Sequence, residues 1–131
     1  MSAYQLEIIL SRQLADSLSI PIFIVDPKGN LLYYNEPAEE ILGQRYEQTG
    51  ALTVEEWGTM FQPTDINGEP LPPDQLPLVK TLQNKTPNHG TLYIKSLKGE
   101  VNKISVTAYP IIGRPDRFLG AMSFFWKNEE S

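Results

Sequence analysis

Residues Pro21 to Gly43, PIFIVDPKGNLLYYNEPAEEILG, decide how the rest of the chain is read. Ile22, Phe23, Ile24 and Val25 are a short β-branched and aromatic run of the kind that favours a strand. Asp26-Pro27-Lys28-Gly29-Asn30 is turn chemistry: proline presets φ, glycine supplies φ > 0 and the aspartate side chain bonds the backbone ahead of it. Leu31 to Tyr34 returns as a second strand. Asn35 is placed to cap a helix over Glu36 to Leu42, with Pro37 tolerated in the first turn and Glu39 and Glu40 near the positive helix end. Gly43 suits the left-handed position that ends such a helix. The stretch is a hairpin feeding a capped helix in an α+β domain.

Outward from it, the first strand is apolar on both faces, Ile22 and Ile24 on one and Phe23 and Val25 on the other, so both faces are expected to be covered. Upstream, Ser2 to Leu18 is an amphipathic helix. Leu6, Ile9, Leu10, Leu14 and Leu18 form one stripe, with Glu7, Arg12 and Asp16 away from it. That stripe packs on the domain's own sheet, or on a second copy, or does both.

Downstream, Gln44 to Leu52 is poorly patterned, a short helix or a loop. Thr53 and Glu56 make a capping box, followed by Val54, Trp57, Met60 and Phe61 at helical spacing, and Pro63 ends the segment. Trp57 reads as a core residue or as a stacking surface for a ligand. Thr64 to Pro73 is a loop with a turn at Asn67-Gly68. Asp74 is positioned to cap a helix from Gln75 to Gln83, whose buried face is Leu78, Val79 and Leu82. From Gly90 the period becomes two. Thr91 to Ser96 is a strand, Lys98-Gly99 a turn, and Val101 to Tyr109 a strand closed by Pro110, with Ile104, Val106 and Ala108 on one face. A loop at Gly113 to Asp116 leads to a last strand, Phe118 to Trp126. Like the first strand it is apolar on both faces, which places the two side by side in the sheet centre.

The pattern Asp26, Gly29, Asn35, Ala38 and Leu42-Gly43 resembles the opening of a PAS domain. Two further signatures strengthen the resemblance: Trp57 with Asp65-Ile66-Asn67-Gly68-Glu69-Pro70-Leu71, Leu76-Pro77-Leu78 and Thr81-Leu82, then Tyr109-Pro110-Ile111 leading to Leu119-Gly120-Ala121. The resemblance spans about Ser19 to Lys127 and divides the chain into an N-terminal dimerisation helix (1–18), a PAS domain (19–127) and a short tail (128–131). It implies a five-stranded antiparallel sheet of order 2-1-5-4-3 with helices on one face. It also implies a bacterial-type module for sensing and signal transduction that forms a homodimer through Leu6, Ile9, Leu10, Leu14 and Leu18. Such a module passes its signal to an effector in cis or in trans. The alternative within the family is an interaction module with a filled core and no ligand.

The chain has 131 residues, enough for one core that buries about two-thirds of the unfolded surface. It contains no cysteine, which excludes the cysteine-adduct flavin and the thioester chromophore of some PAS proteins and fits a cytoplasmic home. The only histidine, His89, lies beyond the helix that carries the axial ligand in haem-binding members, so it reads as a solvated loop residue and haem is not expected. Met60 and Met122 serve better as core fillers than as haem ligands. No motif names a cofactor. A net charge of −5 without a Lys/Arg cluster argues against nucleic-acid partners and against anionic membrane surfaces. No apolar run approaches the ~20 residues of a membrane span.

No catalytic or metal-binding constellation is present: there is no nucleophile elbow, H-E-x-x-H or phosphate-cradling glycine loop. A small enzyme would need a buried acid such as Asp26 or Asp65, and both suit turns. The paired acids Glu39-Glu40, Glu55-Glu56 and Glu129-Glu130 read as solvated surface. A small-molecule pocket, if the core is not solid, lies between helices and sheet. Its expected lining is Leu78 and Leu82 from the helix, Leu92 and Ile94 from the third strand, Ile104 and Val106 from the fourth, and Trp57. Tyr33, Tyr34, Tyr93 and Tyr109 are candidates to offer hydroxyls to it.

Overall fold

A computed structural model describes residues 10, 13, 14, 17, 19–113 and 117–128. Its elements are β1 (Ile22–Val25), β2 (Leu31–Tyr34), α1 (Glu36–Leu42), α2 (Tyr46–Thr49), α3 (Val54–Met60), a 3₁₀ turn (Pro73–Gln75), α4 (Pro77–Asn84), β3 (Asn88–Lys95), β4 (Val101–Gly113) and β5 (Arg117–Lys127). The five strands form one antiparallel sheet of order β2-β1-β5-β4-β3, with β1 and β5 adjacent in its interior as their two-sided apolar character requires. Phe23 and Val25 join the main core under the helices. Ile22 and Ile24 join Met122 in a second cluster with Tyr109, Ile111 and Phe124.

The opening stretch folds as its local chemistry dictates. Asp26 Oδ1 accepts from the backbone N–H of Lys28 and of Asn30, both at 2.9 Å, closing the β1–β2 turn. Asn35 Oδ1 accepts from the Ala38 N–H and caps α1. Gly43 ends α1 at φ +86. The Thr53–Glu56 capping box starts α3, with both reciprocal bonds formed. Asp65, like Asp26, is a turn residue that accepts from the N–H groups of Asn67 and Glu69.

Several boundaries differ from the sequence reading, each for a local reason. The helix expected from Gln75 begins at Pro77, and Asp74 lies in the preceding 3₁₀ turn rather than capping it. Proline pushes the residue before it out of the helical region, and Leu76 is accordingly extended at φ −76, ψ 139. Strand β3 starts at Asn88, earlier than the hydrophobic alternation suggests, because Asn88 to Gly90 pair with Val106 to Ala108. Gly90 fits there because a Cβ would meet Pro77 Cγ at 3.0 Å. His89 is therefore an exposed strand residue, its Nδ1 2.9 Å from Thr107 Oγ1, and not a loop residue. Strand β4 runs on through Pro110 to Gly113. Its neighbour β3 ends opposite Ala108, so Pro110 sits on an open edge where a missing N–H is tolerated.

The expected loop at 113–116 falls mostly on residues 114–116, outside the described residues. So do Leu6, Ile9 and Leu18 of the N-terminal stripe; Leu10 and Leu14 are described as helical and exposed.

Glu39 is not the solvated acid its pairing with Glu40 suggests. Its side chain is 18% exposed, 4.0 Å from Arg45. Burial raises its carboxyl above the ordinary value, and the Glu47 charge adds to this. A carboxyl whose folded value is raised makes the folded state bind more protons than the unfolded, so stability falls as pH rises through that range. Glu39→Gln is expected to raise the melting temperature at neutral pH and to lose that advantage below about pH 4, where the unfolded carboxyl is also protonated. Melting curves of both proteins across pH check this, and a constant difference at all pH values contradicts it.

Candidate functional site

The site is assembled by three periodicities meeting. The capping box fixes the start of α3 so that Trp57 turns inward, 6% exposed. The two-residue period of β3 and β4 aims Leu92, Ile94, Ile104 and Val106 at the helical layer. Proline at the start of α4 sets the turn on which Leu78 faces them. These six residues lie on the wall of a pocket of about 90 Å³.

Leu82 does not join them. It lies one helical turn beyond Leu78 and packs by Gly29, where a Cβ would be 3.4 Å from its Cδ1. The sequence reading missed Leu42, Phe23, Phe61, Phe125 and Ser123, which complete much of the wall. The signal for three of these was strand parity: Phe23 on β1 and Ser123 and Phe125 on β5 share the inner face, and Phe23 pairs with Ser123. A hydroxyl in the otherwise apolar run Ala121-Met122-Ser123-Phe124-Phe125 was visible as an exception.

Trp57 is held from both sides. Its indole Nε1–H donates to the Gly29 carbonyl at 2.6 Å, tying α3 to the β1–β2 turn. Its ring meets Phe23 edge-on, centroids 5.2 Å apart. Trp57→Phe keeps most of the apolar wall and strands a carbonyl of a buried glycine, so it is expected to cost about 1–2 kcal/mol. Urea denaturation checks this; an unchanged midpoint means that the bond contributes nothing.

None of the four candidate tyrosines lines the cavity. The Tyr34 hydroxyl donates to the Gln44 carbonyl at 2.7 Å while its ring stacks on Phe23 from behind. The Tyr109 hydroxyl donates to Met122 Sδ on the opposite face of the sheet. Burial raises both phenols above their ordinary value, so both are neutral donors under ordinary conditions. No ionisable side chain is on the cavity wall, and its interior carries no charge at any pH. Among the described residues no cluster of His, Cys, Asp or Glu is arranged to hold a metal ion, and no helix is long and apolar enough to cross a membrane.

The family model described as a PAS domain matches residues 10–78, more than half of the chain. No curated protein matches. Among solved structures, the PAS domain of a Colwellia psychrerythraea protein superposes with a TM-score of 0.65 at 19% identity, covering 92% of this chain and 97% of that one. The PAS domain of nitrogen regulation protein NR(II) from Vibrio parahaemolyticus gives 0.64 at 16%, covering 91% and 98%. The Rhodobacter sphaeroides LOV protein gives 0.73 at 17%, covering 94% and 68%. At these identities the likeness is one of fold.

Flavin and haem find few matching donors on this pocket's wall. A flavin ring edge needs several hydrogen-bonding partners, and Ser123 is the single polar side chain on the wall. A haem iron needs an axial donor, yet His89 is exposed and bonded to Thr107, and Met122 belongs to the cluster on the other sheet face. The strand order, the capped helix after the first hairpin and the family match over residues 10–78 agree, and the chain belongs to the PAS domain family of sensory and signalling modules.

Proposed function

We propose that this chain is a PAS-type sensory module that works as a homodimer, takes a small molecule between sheet and helices, and passes its state to a signalling effector in cis or in trans. The observation that carries the ligand reading is the cavity itself. It is an apolar pocket between helices and sheet, the usual place for a ligand, and it lies where Trp57, Leu78, Leu92, Ile94, Ile104 and Val106 converge. The dimer reading rests on Leu10 and Leu14, 52% and 49% exposed on the stripe that also contains Leu6, Ile9 and Leu18. Trp126, near the end of β5, is a further large apolar side chain exposed at 46%. An acidic, cysteine-free chain suits the cytoplasm, where we place it.

The modest cavity volume also favours a second reading, an interaction module whose core stays empty of ligand. Native mass spectrometry of protein purified without refolding separates the two. A dimer with extra bound mass supports the sensor, and a dimer of bare polypeptide mass supports the interaction module. A monomer overturns the dimer reading. The double substitution Leu10→Glu and Leu14→Glu is expected to shift a dimer to monomer without lowering the melting temperature of the fold by more than about 5 °C.

A further inference from the structure

The turn from Asp65 to Glu69 is held together by hydrogen bonds to its first residue. Asp65 Oδ1 accepts from the N–H groups of Asn67 and Glu69, at 2.8 and 3.0 Å. The Asp65 carbonyl accepts from the Gly68 N–H at 3.0 Å, and the Asp65 N–H donates to the Glu69 carbonyl at 2.9 Å. Gly68 holds φ +80, which glycine adopts without strain. Asn67 and Gly68 are both exposed, and nothing lies within 4 Å of the place where a Gly68 Cβ would stand.

Asparagine is among the thermolabile residues. Its side-chain carbonyl carbon is within reach of the backbone nitrogen of the next residue, and a side chain on that residue obstructs the approach. Asn67 is the only asparagine in the chain that precedes glycine. The others precede Leu31, Glu36, Lys85, His89, Lys103 and Glu129. Asn30 is further held by the bond from its Nδ2 to Asp26 Oδ2, and Asn35 is buried. The Gly68 N–H is engaged by the Asp65 carbonyl while the turn is closed. That bond lies on the surface, and exposed backbone bonds of this kind open locally at low free energy.

We propose that Asn67 is a site of spontaneous covalent modification, converting to aspartate and isoaspartate through a cyclic imide formed with Gly68. The Gly68 nitrogen gives its proton to solvent base and attacks Asn67 Cγ. A C–N bond forms there, the bond from Cγ to the side-chain nitrogen breaks, and ammonia leaves with a proton taken from water. Water then opens the ring. Breaking the new bond leaves aspartate at position 67, and breaking the original peptide bond routes the main chain through the side chain as isoaspartate. Both products place a further carboxylate between Asp65 and Glu69, and isoaspartate lengthens the main chain inside the turn. The turn follows Thr64, which exchanges both backbone bonds with Tyr93 on β3, so the change falls on the segment that covers this sheet edge.

The test holds the full chain, folded, in mildly alkaline buffer and follows it over days by tryptic peptide mass spectrometry. Asn67 is the only asparagine in the peptide Tyr46 to Lys80. That peptide is expected to gain the mass of an amide-to-acid change and to split into two chromatographic species, one of them a substrate for isoaspartyl methyltransferase. The peptides holding Asn30, Asn35, Asn84, Asn88 and Asn102 are expected to stay unmodified over the same interval. Asn67→Gln is expected to lose the methylatable product, and Gly68→Ala to lose most of it while keeping the asparagine. An unmodified Tyr46 to Lys80 peptide overturns the proposal, as does equally fast modification at the other asparagines. Gly68→Ala protein that is modified as fast as the natural sequence overturns it as well, because attack by an unobstructed glycine nitrogen is then not what selects Asn67.

Discussion

Gly120→Ala is expected to destabilise the fold by about 3–5 kcal/mol, a large part of the 5–15 kcal/mol on the order of which single domains are stable. Two causes act together. Gly120 holds φ +135, a conformation that only glycine adopts without strain. Its α-carbon also lies so close to β1 that an added Cβ would overlap the Val25 carbonyl oxygen and stand 3.2 Å from Asp26 Cα. Both obstacles are backbone, so no side chain can turn aside to make room. The glycine lies opposite Ile111, where the β4–β5 register shifts, at the corner where β5 passes the end of β1. Gly68→Ala is the matched comparison: φ is +80 there, but nothing lies within 4 Å of the added Cβ. It is expected to cost only about 1 kcal/mol, the conformational part. Urea denaturation of the two variants measures the difference, and equal losses mean that the close approach to Val25 has no energetic weight.

Asn35→Ala is expected to cost about 3 kcal/mol, because one buried side chain makes three hydrogen bonds to backbone groups of β1's start and of α1. Its Oδ1 accepts from the N–H of Ile22 at 2.9 Å and of Ala38 at 3.2 Å, joining the start of β1 to the start of α1. Its Nδ2 donates to the Ile20 carbonyl at 2.9 Å, just before β1. The residue is 1% exposed, so no bulk water replaces these bonds. Thr53→Ala removes an exposed cap of the ordinary kind from α3 and is expected to cost about 1 kcal/mol. A loss at Asn35 no greater than at Thr53 reduces its role to that of a simple cap.

The legible parts of this protein were those where residue chemistry acts over short range. Asp26, Gly29, Asn35 and Gly43 determine the hairpin, the cap and the helix end through contacts a few residues away, and the structure has them as read. The helix at Asp74 was misplaced because two short-range signals competed: an acidic cap residue argued for an early start, and the steric demand of Pro77 on Leu76 won. The site was legible where side-chain period alone decides the facing, as at Leu92, Ile94, Ile104 and Val106. Leu82 shares its helix stripe with Leu78, and period cannot tell which of the two stands over the cavity.

By itself, the sequence determined the elements, their caps and turns, the inward faces of the strands and the central place of β1 and β5, because local sterics and alternation of polarity depend on nearest neighbours. Tertiary structure alone decided what those faces enclose. The pocket exists because elements distant in sequence, from β1 to β5, meet with side chains that do not quite fill the space between them.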